Sequence, residues 1–327
     1  MLLTRMFNCR SLFLLALPSL TVGLLTPPVF AHGATREKRG GQVERSMPAD
    51  RRVIVSACTL SGGFTVRGWD RNEVRVRSDG ADIELIRTDQ TRSEQATELK
   101  VTAKTGRPNA RGSCLMFGGL ELDVPRGANV KLQTTSGDIA LTDVARATVV
   151  TTSGSIDLTK MREETTATVI GGDISVRDST GLFNLHATGG SIDARHLVPL
   201  AASDTVSAST VSGEVNLNQV THQRVNVNSV SGEVTYSGEL VRNGSYSFQN
   251  LSGEIRLSIP ASSSFRLVTN VGETVKISSD FNLNYTQNQN IGPGNRREPR
   301  RVNATVGTGE SLIRVSLLTG SLRISKT

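Results

Sequence analysis

Carboxylates recur just after a glycine from about residue 130 onward: Asp138, Asp173, Glu214, Glu233, Glu254 and Glu273. In Gly-rich repeats that roll into β-coils, such a row can bind Ca²⁺, which takes about six to eight oxygen ligands from facing turns. Here each repeat offers a single carboxylate, and Ser155 and Ser191 interrupt the row. A solvated corner is the better reading. Asp157 and Asp193 hold matching repeat positions and could share a face with Asp173 or Asp178, the acid pairing that polysaccharide cleavage needs. Sugar-gripping clefts lean on aromatic faces, however, and nine Phe, three Tyr and one Trp in 327 residues are few. These aspartates therefore read as ordinary surface groups.

The remaining chemistry-bearing residues are scattered. His186, His196 and His222 lie in no nucleophile-elbow context and at no zinc spacing, and no phosphate-cradling loop is present. No catalytic residue, metal ligand or cofactor is assigned. Arg296, Arg297, Arg300 and Arg301 form the best functional hint, a candidate anion-binding loop for phosphates of envelope polymers or headgroups. A solvated charge run is the competing reading. Trp69, the single tryptophan, is expected to pack at a hairpin end.

The elements that would carry these groups come from a chain that repeats itself. Ser136-Gly137-Asp138-Ile139 is followed by related tetrads centred on Gly154, Gly172, Gly190, Gly213, Gly232 and Gly253, a weaker copy at Gly272, and Thr319-Gly320-Ser321-Leu322. The intervals between these glycines are 17, 18, 18, 23, 19, 21 and 19 residues, then 48. On either side of each glycine, apolar and small polar residues alternate, as in Val225, Val227 and Ser229 before Gly232. Period two means strands with one buried and one wet face, the wet face reading as Ser, Thr, Asn and Asp.

A unit of about 19 residues cannot bury its own apolar face, so units must stack. The expected fold is all-β, a β-solenoid or β-helix-like stack of strand–Gly–strand repeats over residues 126–327. Near-constant spacing favours it over an antiparallel sandwich of hairpins. Residues 51–125 read as shorter antiparallel strands that cap the stack. The long last interval predicts an inserted loop at 282–301, and the charged, Gly-rich residues 32–50 read as a disordered lead.

Residues 1–31 read as a signal peptide, with Arg5 and Arg10, an apolar core and a Val29-Phe30-Ala31 cleavage site. Beyond them no apolar run is long enough to cross a bilayer. Their removal lowers the net charge from +7 to +5, too mild an excess for a nucleic-acid surface. It also leaves two cysteines, Cys58 and Cys114. In an oxidising compartment they are a candidate disulfide, worth about 4 kcal/mol by loop entropy, with two buried thiols as the alternative.

Val66-Arg67-Gly68-Trp69-Asp70, Glu73-Val74-Arg75-Val76 and Leu122-Asp123-Val124-Pro125-Arg126-Gly127-Ala128, running into the Ser-Gly-Asp-Ile repeats, resemble the bacterial DUF4097 "putative adhesin" family over residues 50–327. The resemblance implies an exported β-repeat protein without an established catalytic role. The function expected is non-enzymatic binding or scaffolding at the cell envelope, in the periplasm or at the surface, with an envelope polymer or a protein as partner. A polysaccharide-active enzyme on a β-helix and a self-assembling structural protein are the alternatives.

Overall fold

The computed structural model describes residues 42–79, 82–90, 93–103, 116–286 and 300–327. Among them every regular element is a β-strand. Each sequence repeat becomes one rung of a parallel stack. Strands before the glycine, from Asn129–Ser136 through Arg224–Ser231, pair each with the next. Strands after it, from Ile139–Thr142 through Val234–Ser237, do the same. Ser245–Ile259 runs through the corner as one long strand.

The register follows from the alternation, because a slip of one residue would turn every aliphatic into water. Ile139, Ile156, Ile174, Ile192, Val215, Val234 and Ile255 form one column, and each is fully buried. A second column runs Leu141, Leu158, Val176, Ala194, Leu217, Tyr236 and Leu257. The fold is thus a β-solenoid-like stack, as the even glycine spacing predicts.

At the corner, glycine answers both to backbone angle and to space. Gly172 has φ +147°, and a Cβ there would lie 2.2 Å from the carbonyl oxygen of Gly154 one rung away. Buried hydroxyls and an amide beneath the corner satisfy these crowded carbonyls. Thr134 donates to Gly62 at 3.1 Å, Thr210 to Gly190 at 3.1 Å and Asn250 to Gly232 at 2.9 Å.

Residues 51–125 depart from the expected antiparallel cap. Ile54–Ser61 pairs in parallel with Asn129–Ser136, and Phe64–Trp69 with Ile139–Thr142, so this segment is itself a rung with its own corner at Gly62. Ala96–Ala103 and Leu120–Pro125 add a further parallel rung beyond it. Antiparallel pairing here is confined to Glu73–Asp79 and Ile83–Arg87. Of the lead expected at 32–50, residues 32–41 lie outside the described residues, and 42–50 are strand: Gln42–Pro48 pairs with Glu73–Asp79. Its charges mask the pattern, because Val43 and Met47 face the core while Arg45 pairs with Asp82 at 3.1 Å.

Both described chain ends are placed one rung in from the end of the stack. The 42–69 rung lies between 96–125 and 129–142. Ser311–Lys326 lies between Ser245–Ile259 and the last rung, Phe265–Val271 with Lys276–Ser279. Gly320 therefore stacks on Gly253 and not on Gly272, which accounts for the 48-residue interval. Of the expected loop at 282–301, residues 287–299 lie outside the described residues, Asn284–Thr286 pairs with Arg300–Val306, and Arg300–Val306 shields the edge of Phe265–Val271.

Candidate functional site

The feature of the surface that sequence reading missed is a row of aliphatic side chains two residues before the corner glycine. The wet face was expected to be wholly polar. Instead Val211, Val230, Leu251 and Leu318 are 44–54% exposed on four successive rungs, aligned by pairings such as Ser229 with Asn250 and Asn250 with Leu317. Ile170, 54% exposed, extends the row through Thr188, and Leu60 occupies the same position near the other end. The signal lay inside the motif itself, in Ile170-Gly-Gly, Val211-Ser-Gly, Val230-Ser-Gly and Leu251-Ser-Gly, where an apolar residue falls out of phase with the buried set.

Two flanks of different character border this row. On the strand side lie uncharged groups, Ser209, Asn228, Gln249 and Ser316, which share one register position. Between Leu251 and Leu318 on one wall and Gln249, Ser316 and Asn270 on the other lies a groove of about 310 Å³. Gly272 lines it on the next rung. Past the glycine lies the carboxylate row.

The carboxylates of that row act in part as corner fasteners. Asp138 accepts the backbone N–H of Ser155 at 2.8 Å, and Asp173 that of Ser191 at 2.7 Å, each reaching one rung over. Arg256 lies between Glu254, at 2.7 Å, and Glu233. Glu214 has no ion pair among the described residues. None of these, nor any other set of three or more His, Cys, Asp or Glu among the described residues, is grouped to hold a metal ion.

The acids considered for catalysis are not brought together as a pair. Asp157 and Asp193 share a column but lie two rungs apart across Ser175, roughly 10 Å at the usual strand spacing. Asp193 is held by Arg195 at 2.6 Å. Asp178 sits at the opposite corner, 3.3 Å from His196. That corner repeats a left-handed residue: Asp143, Lys160, Asp178, His196 and Gln219 all have φ between 50° and 63°. Asp178, His196 and Gln219 fall inside strands, where two consecutive side chains point outward, as at Arg177 and Asp178, whereas Asp143 and Lys160 directly follow the ends of theirs.

The other residues find structural places. His186 meets Ser209 Oγ at 2.7 Å on the surface. His222 is fully buried, its Nε2–H donating to the Gly181 carbonyl at 2.7 Å and its ring edge-on to Phe183. Burial lowers its pKa, against a smaller upward pull from that carbonyl. Trp69 donates from Nε1 to the Glu73 carbonyl at 2.8 Å, between the guanidiniums of Arg71 and Arg75 at 5.0 and 4.8 Å. It sits half-buried at the end of Phe64–Trp69, a strand that pairs in parallel with Leu120–Pro125 and Ile139–Thr142 and not with Glu73–Asp79, so the hairpin expected there does not form. Cys58 is disulfide-bonded, and Cys114 lies outside the described residues. So do Arg296 and Arg297, whereas Arg300 and Arg301 begin a strand.

The Toastrack DUF4097 family profile matches residues 37–219 and 201–317. Comparison with curated proteins finds no match. Among solved structures, the chain is similar to a "putative adhesin" of Bacteroides fragilis, with 11% identity, 88% of this chain and 98% of that one covered, and a TM-score of 0.38. A "putative adhesin" of Parabacteroides merdae has 10% identity, covers 87% and 96%, and has a TM-score of 0.43. A "putative lipid binding protein" of Parabacteroides distasonis has 13% identity, covers 87% and 97%, and has a TM-score of 0.44.

Proposed function

The chain belongs to the Toastrack DUF4097 family, and from that premise we propose that it is a non-enzymatic, exported protein that binds or scaffolds at the bacterial cell envelope, adhesin-like. The observation that carries this reading is the outward surface. Rung after rung presents the same kinds of side chain about 4.8 Å apart, and no set of three or more His, Cys, Asp or Glu is grouped among the described residues. A surface of that kind makes many weak, equivalent contacts along an elongated partner.

Residues 1–31 direct export to the periplasm or the cell surface. The disulfide at Cys58 supports an oxidising compartment. No helix among the described residues is long and apolar enough to cross a membrane.

The test incubates purified residues 32–327 with isolated envelope polymers and common polysaccharides. Co-sedimentation is recorded in the same tubes as the release of reducing ends or unsaturated products. Retention without turnover is expected, and turnover would overturn the non-enzymatic reading. Neutralising Arg296, Arg297, Arg300 and Arg301 to Gln is expected to reduce retention on phosphate-bearing polymers while sparing neutral ones.

A further inference from the structure

We propose that the aliphatic row Val211, Val230, Leu251 and Leu318 is the docking site for an amphipathic α-helix of a partner protein, its apolar stripe flanked on one side by lysines or arginines. This deepens the binding-module reading and rests on it. Large side chains half-exposed on four consecutive rungs are costly to leave in water, and the pairing register holds them in a straight line.

Spacing selects the partner's conformation. Rungs repeat at about 4.8 Å, and one face of an extended strand laid along the row would repeat at about 6.8 Å. A helix turn repeats at about 5.4 Å, so helical side chains stay matched over roughly three turns. Three rung intervals from Val211 to Leu318 span about 14 Å, the length of such a helix face.

Charge selects the flanks. On the corner side, Glu233 and Glu254 share the single guanidinium of Arg256, and Glu214 has no ion pair among the described residues. Arg323, on the Leu318 rung, and Lys276, on the next, continue the same columns, so the negative surplus belongs to the Val211, Val230 and Leu251 rungs. Ser209, Asn228, Gln249 and Ser316 on the other side carry no charge.

Competing occupants fit less well. The carboxylates would repel an anionic bilayer, and no aromatic side chain among the described residues lines the groove for a sugar. A second copy would need about 800 Å² per partner, more than a row one side chain wide provides. Antiparallel pairing of two copies would also set one carboxylate row against the other.

The test titrates the mature protein with a synthetic helical peptide of about three turns, leucines on one stripe and lysines along one flank, followed by fluorescence anisotropy at low and high salt. A matched peptide with glutamates replacing the lysines serves as control. Saturable binding of the lysine peptide is expected, weakened by salt and absent with the glutamate peptide. Val230→Ser with Leu251→Ser should weaken it about tenfold with an unchanged thermal melt, and Glu214→Gln should weaken it less. Leu60→Ser, distant along the stack, should leave it unchanged.

Equal binding of the glutamate peptide, no loss in the double variant, or a flat titration would overturn the proposal. So would neutral phosphatidylcholine vesicles whose binding the double variant abolishes, which would assign the row to lipid. Concentration-dependent dimerisation lost in that variant would assign it to a second copy. Polymer turnover would remove the binding-module reading itself, whereas a flat titration with polymer retention intact removes only this docking site.

Discussion

Adjacent glycines in one repeat give the sharpest test of the corner. In Gly171-Gly172 the two look interchangeable in the sequence, yet their surroundings differ. A Cβ at Gly171 would meet its nearest neighbour, the Thr152 carbonyl, at 3.7 Å, an ordinary contact. A Cβ at Gly172 would lie 2.2 Å from the Gly154 oxygen and 2.8 Å from its carbon, at φ +147°. Gly172→Ala therefore incurs about 1–3 kcal/mol of backbone strain. Relieving the overlap must also stretch the bonds that knit neighbouring rungs, Gly172 N–H to Gly189 at 3.2 Å and Gly154 N–H to Gly171 at 3.1 Å. At about 1 kcal/mol for each bond lost, the total is about 3–5 kcal/mol.

Gly171→Ala should change stability by less than about 1 kcal/mol, and in the stabilising direction through the unfolded chain. Urea unfolding followed by circular dichroism, with the m-value compared between variants, measures both. In heat the damaged corner should cost about 10 °C, at about 2–4 °C per kcal/mol for a chain of this size. Equal effects at the two positions, or a Gly172→Ala penalty below about 1 kcal/mol, would refute the stacked-corner argument.

Two further outcomes follow from the buried polar groups. Because burial depresses the His222 pKa, the unfolded chain takes up the proton first, so stability is full above about pH 6.5 and falls below it, by up to about 1.4 kcal/mol per pH unit. His222→Phe should flatten the dependence between pH 7 and pH 5.5 in urea titrations, whatever its effect on absolute stability. Ser229 Oγ is buried without a partner, while Thr210, one rung earlier in the same column, donates to the Gly190 carbonyl at 3.1 Å. Ser229→Ala should thus be neutral or stabilising, and Thr210→Val should cost about 1 kcal/mol, both read from denaturation midpoints.

What was legible in the chain was local. Strand alternation and the glycine period lie within a single repeat, so the parallel rungs from 129 to 259 follow from sequence alone. The N-terminal rung also left a trace: Ser61-Gly62-Gly63-Phe64 and Phe117-Gly118-Gly119-Leu120 resemble the corner motif, and both Gly62 and Gly118 adopt positive φ. Their separation by Glu73–Asp79 and the hairpin of Ile83–Arg87 with Ala96–Ala103 hid the period. The aliphatic row escaped notice because period-two reading assigns every apolar residue to the core, and Val230 and Leu251 follow an inward residue directly at the bend.

By itself the sequence determined that this chain must be β, that it must stack, and where each corner must turn, since those depend on side-chain period and on glycine's missing Cβ. Only the tertiary structure decided which rung lies beside which. Ser311–Lys326 meets Ser245–Ile259 on one edge and Phe265–Val271 on the other, and Ile54–Ser61 meets Asn129–Ser136. Backbone hydrogen bonds between strands carry no sequence code, and apolar columns of similar volume accept more than one neighbour. The choice is made by the whole stack, which protects its ends by folding its described chain ends inward.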